Sequence, residues 1–161
     1  MLFRSRYPDE FNKALFVCAR LFGENHPDTA TSYNNIAGVY EAMGEYEKAV
    51  VGYQKALSVF RNVLGDDHPD TAMMHNNIAY AYDHMGEYMK ASKGYHAALC
   101  ILERTMGKRH PYSRMVRDNI RGLPREYRSG DGGRFGVYGN KVGRILDGFM
   151  ERIHTYTERK E

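Results

Sequence analysis

Residues 23–64 read GENHPDTATSYNNIAGVYEAMGEYEKAVVGYQKALSVFRNVL, and residues 65–106 read GDDHPDTAMMHNNIAYAYDHMGEYMKASKGYHAALCILERTM. At this offset of 42 residues, 21 of the 42 aligned pairs are identical. A fixed period of this length marks a stacked repeat architecture, because one such unit cannot bury its own apolar faces and needs neighbours to do it. A further copy opens at Gly107 with GKRHPYSRMVRDNI and then departs from the pattern. Upstream, Phe11, Asn12, Lys13, Ala14 and Leu15 align with Tyr53, Gln54, Lys55, Ala56 and Leu57. The period therefore covers residues 9–121, opening in the second half of one unit.

Each unit reads as two helices. Ala30, Tyr33, Ile36, Ala37 and Tyr40 recur at spacings of three and four, a helical and not a strand-like period. Gly44 breaks that pattern; Tyr46, Ala49, Tyr53, Ala56, Leu57 and Phe60 resume it up to Leu64, and Gly65 closes it. Pro27, Pro69 and Pro111 each follow a histidine and suit the first turn of a helix, where a missing N–H costs nothing. Asp28 and Asp70 place negative charge at the positive end of the helix dipole. Small residues at Ala37/Ala79, Ala49/Ala91 and Ala56/Ala98 permit close helix approach, and Tyr40/Tyr82, Tyr46/Tyr88 and Tyr53/Tyr95 fill the space between helices. The expected fold is all-α: a short right-handed α-solenoid of stacked antiparallel helix pairs.

The string Gly44-x-Tyr46-x-x-Ala49-x-x-x-Tyr53-x-x-Ala56-Leu57, matched again by Gly86, Tyr88, Ala91, Tyr95, Ala98 and Leu99, resembles the signature of the tetratricopeptide repeat (TPR). The usual TPR period is about 34 residues. The extra length here lies in a longer second helix and in the Leu-Gly-x-x-His-Pro-Asp-Thr-Ala connector, a variant similar to the repeats of kinesin light chain. His68-Pro-Asp-Thr-Ala followed by Asn76-Asn77-Ile78-Ala79 is especially close to that subtype. The heptad-rich segment by which kinesin light chain joins its motor partner has no counterpart in these residues, so the resemblance does not imply a motor subunit.

The resemblance implies that the first helix of each pair lines a concave groove whose variable positions hold a protein or peptide partner. Those positions are Thr31, Asn34, Asn35, Gly38, Glu41 and Ala42 in the first complete unit, Met73, Asn76, Asn77, Tyr80, Asp83 and His84 in the second, and Met115, Asp118 and Asn119 in the third. The asparagines among them suit an extended peptide, because an amide offers donors and an acceptor without imposing charge. The alternative is that one Asn of each pair is structural and bonds across the helix pair. The Lys and Arg of a carboxylate clamp are replaced by Thr31, Asn34, Met73 and Asn76, and Glu41 and Asp83 make one end of the groove slightly acidic. The function expected on this reading is a non-enzymatic interaction module or adaptor, with a self-associating scaffold joined through the solenoid ends as the alternative.

After Ile120 the pattern fails: Arg121 stands where Ala37 and Ala79 stood, and Leu123-Pro124 follows where a helix should continue. The sequence thus divides into residues 1–22 (second helix of a partial repeat), 23–64 and 65–106 (repeats), 107–123 (a degenerate partial repeat), 124–139 (a glycine-rich linker) and 140–161 (a C-terminal helix). Val142, Ile145, Leu146, Phe149, Met150, Ile153 and Tyr156 give that last helix an apolar stripe, read as a cap for the final repeat or as a partner-binding face.

The 161 residues carry a net charge of +3 that divides unevenly. Residues 1–106 hold 10 Lys/Arg and 13 Asp/Glu, whereas 107–161 hold 13 and 7. The basic stretch from Lys108 to Arg128 could meet phosphates; aromatics are not interleaved as stacking platforms, so a nucleic-acid accessory role is the less favoured alternative to a protein partner. No cofactor or metal is expected: His26, His68 and His110 are one turn position repeated three times, and His75, His84, His96 and His154 show no metal-ligand spacing. No nucleophile–base constellation can be assembled. Cys18 and Cys100 lack a CxxC spacing and point to a reducing, cytoplasmic setting. No apolar run reaches the ~18 residues of a membrane span.

Overall fold

The computed structural model describes residue 13 and residues 15–130. The expectations for the N-terminal residues 1–12 and for the 131–161 stretch, including the C-terminal helix, lie outside the described residues. Helix α1 is described over residues 15–22. It is followed by α2 (Pro27–Ala42), α3 (Tyr46–Leu64), α4 (Pro69–His84), α5 (Tyr88–Thr105), α6 (Pro111–Gly122) and a 3-10 turn, Arg125–Tyr127. No strand occurs among the described residues. Three-residue connections within the pairs α2–α3 and α4–α5 make their helices neighbours.

Local chemistry repeats with the sequence. His26, His68 and His110 are N-caps: each Nδ1 accepts the backbone N–H two residues on, from Asp28, Asp70 and Tyr112, at 3.2, 3.2 and 3.3 Å. Proline occupies the first turn behind each cap. Thr29, Thr71 and Ser113, all fully buried, donate their hydroxyls back to the carbonyls of Gly23, Gly65 and Gly107 at 2.8–2.9 Å, closing each connector onto the helix it starts. At the other end of α2, Gly44 has φ +77°, its N–H donates to the Glu41 carbonyl and that of Glu45 donates to the Tyr40 carbonyl. This paired arrangement satisfies two carbonyls that the helix end would leave open, and it needs a residue free to take positive φ. Gly86 repeats it after α4.

Alanines line the seam of each pair. Ala30, Ala37, Ala49 and Ala56 are fully buried around Tyr53 and Phe60; Ala72, Ala79, Ala91 and Ala98 repeat the arrangement around Tyr95 and Leu102. The two clusters meet at Tyr82, which packs against both. The stack is therefore continuous, as the repeat requires.

The third unit keeps its first helix. Val116 and Leu123 are fully buried and Ile120 nearly so, joined to the α4–α5 cluster. Arg121, at the position of Ala37 and Ala79, turns to solvent and pairs with Asp118 at 2.8 Å. After Leu123 the chain does not form a helix like α3 or α5 before residue 130. Residues 124–130, the described part of the expected linker, lie against α5. Ser92 donates its hydroxyl to the Tyr127 carbonyl, His96 Nε2 bonds the Arg128 carbonyl at 2.8 Å, and Tyr88 packs on Tyr127 at 5.6 Å between ring centroids.

Candidate functional site

The first helices α2, α4 and α6 share one face, and hydrogen bonds between asparagines tie them together. Asn119 Nδ2 donates to Asn76 Oδ1 at 3.0 Å, Asn76 Nδ2 to Asn77 Oδ1 at 3.3 Å, Asn77 Nδ2 to Asn34 Oδ1 at 3.2 Å, and Asn34 Nδ2 to Asn35 Oδ1 at 3.4 Å. One chain of amides thus crosses three units. The links between units join residues 43 apart, one more than the period: the second Asn of a pair reaches the first Asn of the preceding unit. Asn76 is 6% exposed and bonded at both ends of its amide, Asn34, Asn77 and Asn119 are half-buried, and Asn35 is exposed. Two of these bonds join neighbours on one helix and two run between units.

To one side of this chain lies a cleft of ≈ 450 Å³ lined from α2, the end of α3 and α4. Thr31, Asn34, Met73 and Asn77 line it, with Phe60, Leu64 and Met74 as apolar floor and Pro27, His68 and Asp70 at its rim. Four residues that the sequence pattern singled out therefore share one opening. Thr31 is held by its own helix, donating its hydroxyl to the Pro27 carbonyl at 3.0 Å.

On the other side, at the C-terminal ends of α2 and α4, stand Glu41, Tyr80, Asp83 and His84. Tyr53 Oη donates to Glu41 Oε2 at 3.0 Å. Burial pushes the Glu41 carboxyl above its usual range, with the Tyr53 bond and the His84 charge opposing that shift. Asp83 is also pushed up by burial, again opposed by His84. The His84 ring stacks on Tyr46 at 5.0 Å with 10° between planes and leans on Tyr80 at 4.4 Å. Tyr80 remains 37% exposed. Gly38 takes Tyr80's place in the first unit, where a side chain would approach Tyr53 Oη. Ala42 and Asp118 are exposed at the margins, and Met115 is 37% exposed on α6.

Tyr53, Tyr95 and Tyr46 were legible from the repeat only as space-filling residues. The Tyr53 bond to Glu41 and the Tyr46 stack on His84 depend on which residue faces each ring, which periodicity does not reveal.

The sequence pattern of the family described as Tetratricopeptide repeat matches residues 9–51 and 35–93, more than half of the chain. The chain is a tetratricopeptide repeat protein. Among solved structures, BtubC (BKLC) from P. vanneervenii shares the fold at a TM-score of 0.69 and 20% identity, over 91% of this chain and 57% of that one. Repeats of Podosopora anserina described as kinesin-light-chain, nearly identical and TPR-like superpose at 0.66 and 19% identity over 73% of this TPR chain and 56% of theirs. A variant of those repeats gives 0.62 and 18% over 92% and 69%. The chain spans little more than half the length of the first two. At these identities the likeness is one of fold: an all-α TPR solenoid of the kinesin-light-chain-like kind. No curated protein matches the chain. No described helix of this TPR protein is long and apolar enough to cross a membrane.

Proposed function

We propose that this TPR protein is a non-enzymatic interaction module that holds an extended peptide segment of a partner protein along the face of α2, α4 and α6. The observation that carries this reading is the cleft that gathers Thr31, Asn34, Met73 and Asn77 beside a continuous chain of asparagines. Asn77 and Asn34 each use one N–H and one oxygen lone pair in the chain, leaving a second N–H and a second lone pair for a peptide backbone. Met73 and Tyr80 supply adaptable apolar contact on either side. Buried Asn76 orients its neighbours and does not itself meet the ligand.

The test is a peptide array probed with the wild-type chain and with a Met73→Glu, Tyr80→Ala variant whose helicity is checked by circular dichroism. Loss of bound peptides in a folded variant supports the groove; retention of every wild-type partner removes it.

Self-association is the second reading, favoured by Phe16, Leu21 and Phe22 of α1, which are 61%, 70% and 52% exposed. Light scattering on a Phe16→Glu, Leu21→Glu variant decides it: a monomer for wild type and variant alike excludes that route. Free Cys18 and Cys100 suit a reducing compartment such as the cytoplasm.

A further inference from the structure

Glu41 and Asp83 occupy the same position in successive units, each within the last turn of a first helix. In the first unit the carboxylate reaches its tyrosine, Tyr53. In the second the acid is one methylene shorter, and the equivalent tyrosine, Tyr95, is 0% exposed with a hydroxyl that has no hydrogen-bond partner. That hydroxyl lies within the influence of Asp83, Tyr80 and Glu41. The Asp83 carboxylate in turn has no hydrogen bond or ion pair among the described residues, and no Lys or Arg pairs with Glu41. Lys48 pairs with Glu45 and Lys90 with Glu87.

The cluster is thus acidic, with no Lys or Arg paired to either carboxylate and the His84 ring as a basic neighbour of both. Two carboxylates are partly desolvated and two helix C-termini add their negative ends; α2 has no basic residue in its last turn, and α4 has His84. An exposed aromatic face, Tyr80, braced by His84 and Tyr46, stands beside them. Among the described residues no group of three or more His, Cys, Asp or Glu is placed to hold a metal ion. The chemistry that fits is an organic cation with several donors and a flat face that stacks on tyrosine, which is a guanidinium.

We infer that Glu41, Asp83 and Tyr80 form a subsite for a basic side chain, arginine above lysine, of the peptide held in the adjoining groove. The inference rests on the groove reading and adds to it the charge class of the partner. A guanidinium offers donors to a carboxylate and a flat face to Tyr80, and its bidentate geometry favours it over the point charge of lysine.

The test uses the full chain, immobilised, and nonapeptide pools that are random except for a central Arg, Lys, Gln or Glu. The wild type is compared with a Glu41→Gln, Asp83→Asn variant, in which the amide oxygen at position 41 still offers Tyr53 an acceptor. The Arg pool is expected to be retained best, and the double substitution to weaken it about tenfold or more while leaving the Gln pool unchanged. Equal retention of Arg and Gln pools, or Arg binding undiminished in the variant, overturns the subsite. In that case a Gln pool still lost on Met73→Glu leaves the groove standing. Retention of no pool overturns both.

Discussion

A Cβ added at Gly52 would stand 2.9 Å from that of Ala37, and the same pair one unit later, Gly94 and Ala79, would approach at 2.8 Å. The helices of each pair touch backbone to backbone at these points, and the first-helix face is set by that contact. Gly94 is the tighter site, since the His75 carbonyl lies 3.1 Å from the same position and cannot swing away. Alanine is intrinsically better in a helix by about 1 kcal/mol, but overpacking costs about 1–3 kcal/mol. Gly94→Ala is expected to destabilise in urea unfolding despite its better propensity. Gly122→Ala, at a helical glycine with open space around it, is the control and is expected to be neutral or stabilising.

The tyrosines of the two complete units are expected to respond in opposite directions. Tyr53→Phe removes a hydroxyl bonded to Glu41 and should cost about 0.5–1.5 kcal/mol. Tyr95→Phe removes a buried hydroxyl without a partner and should be neutral or stabilising. Asp83→Glu, which extends the acid toward Tyr95 as Glu41 extends toward Tyr53, should stabilise by a comparable amount. Thermal melts of the three variants check this; equal losses for both Phe variants would contradict it.

The asparagine chain makes a graded prediction. Asn76→Ala removes the buried middle of the chain and strands the Asn119 amide, at a cost of about 1–3 kcal/mol. Asn35→Ala touches only the exposed end and is expected to fall within about 0.5 kcal/mol of wild type. Denaturant midpoints separate the two.

The repeat made the helix pairs, their caps and the alanine seam readable, because each rests on a residue type at a fixed offset: His-Pro at a helix start, Gly at its end, Ala at the contact. Three features were not readable in the same way. Gly52 and Gly94 matter through distance to a partner helix, and glycine inside a helix carries no sign of which atom it faces. The asparagines bond with a 43-residue step, so aligning them at 42 conceals who meets whom. The docking of residues 124–130 depends on Ser92 and His96, which stand where the first unit has Val50 and Gln54.

Two titrating groups should oppose each other in the pH dependence of stability. The Glu41 carboxyl is raised, first by burial, so its ionisation is disfavoured in the fold. Its contribution is fully present below the unfolded carboxyl range and is lost as pH rises through the higher folded value. Glu41→Gln, which keeps an acceptor for Tyr53, should therefore be the more stable protein at pH 7, with the advantage shrinking toward pH ~4. His75 is lowered from its ordinary value of 6.5, first by burial and then by the Arg61 charge. Its contribution is present above that value and is lost as pH falls toward the lower folded value. A His75→Gln variant should lose less stability than wild type on acidification across that window, read from urea midpoints at successive pH values.

Whether ligand lies on the first-helix face is decided by amide NMR shift mapping of the isotope-labelled chain, titrated with the best-retained Arg-centred peptide. The largest changes are expected at Thr31, Asn35, Tyr80 and His84. Changes concentrated instead at Val63, Lys93 and Cys100, exposed on the second helices α3 and α5, would contradict a groove on α2, α4 and α6.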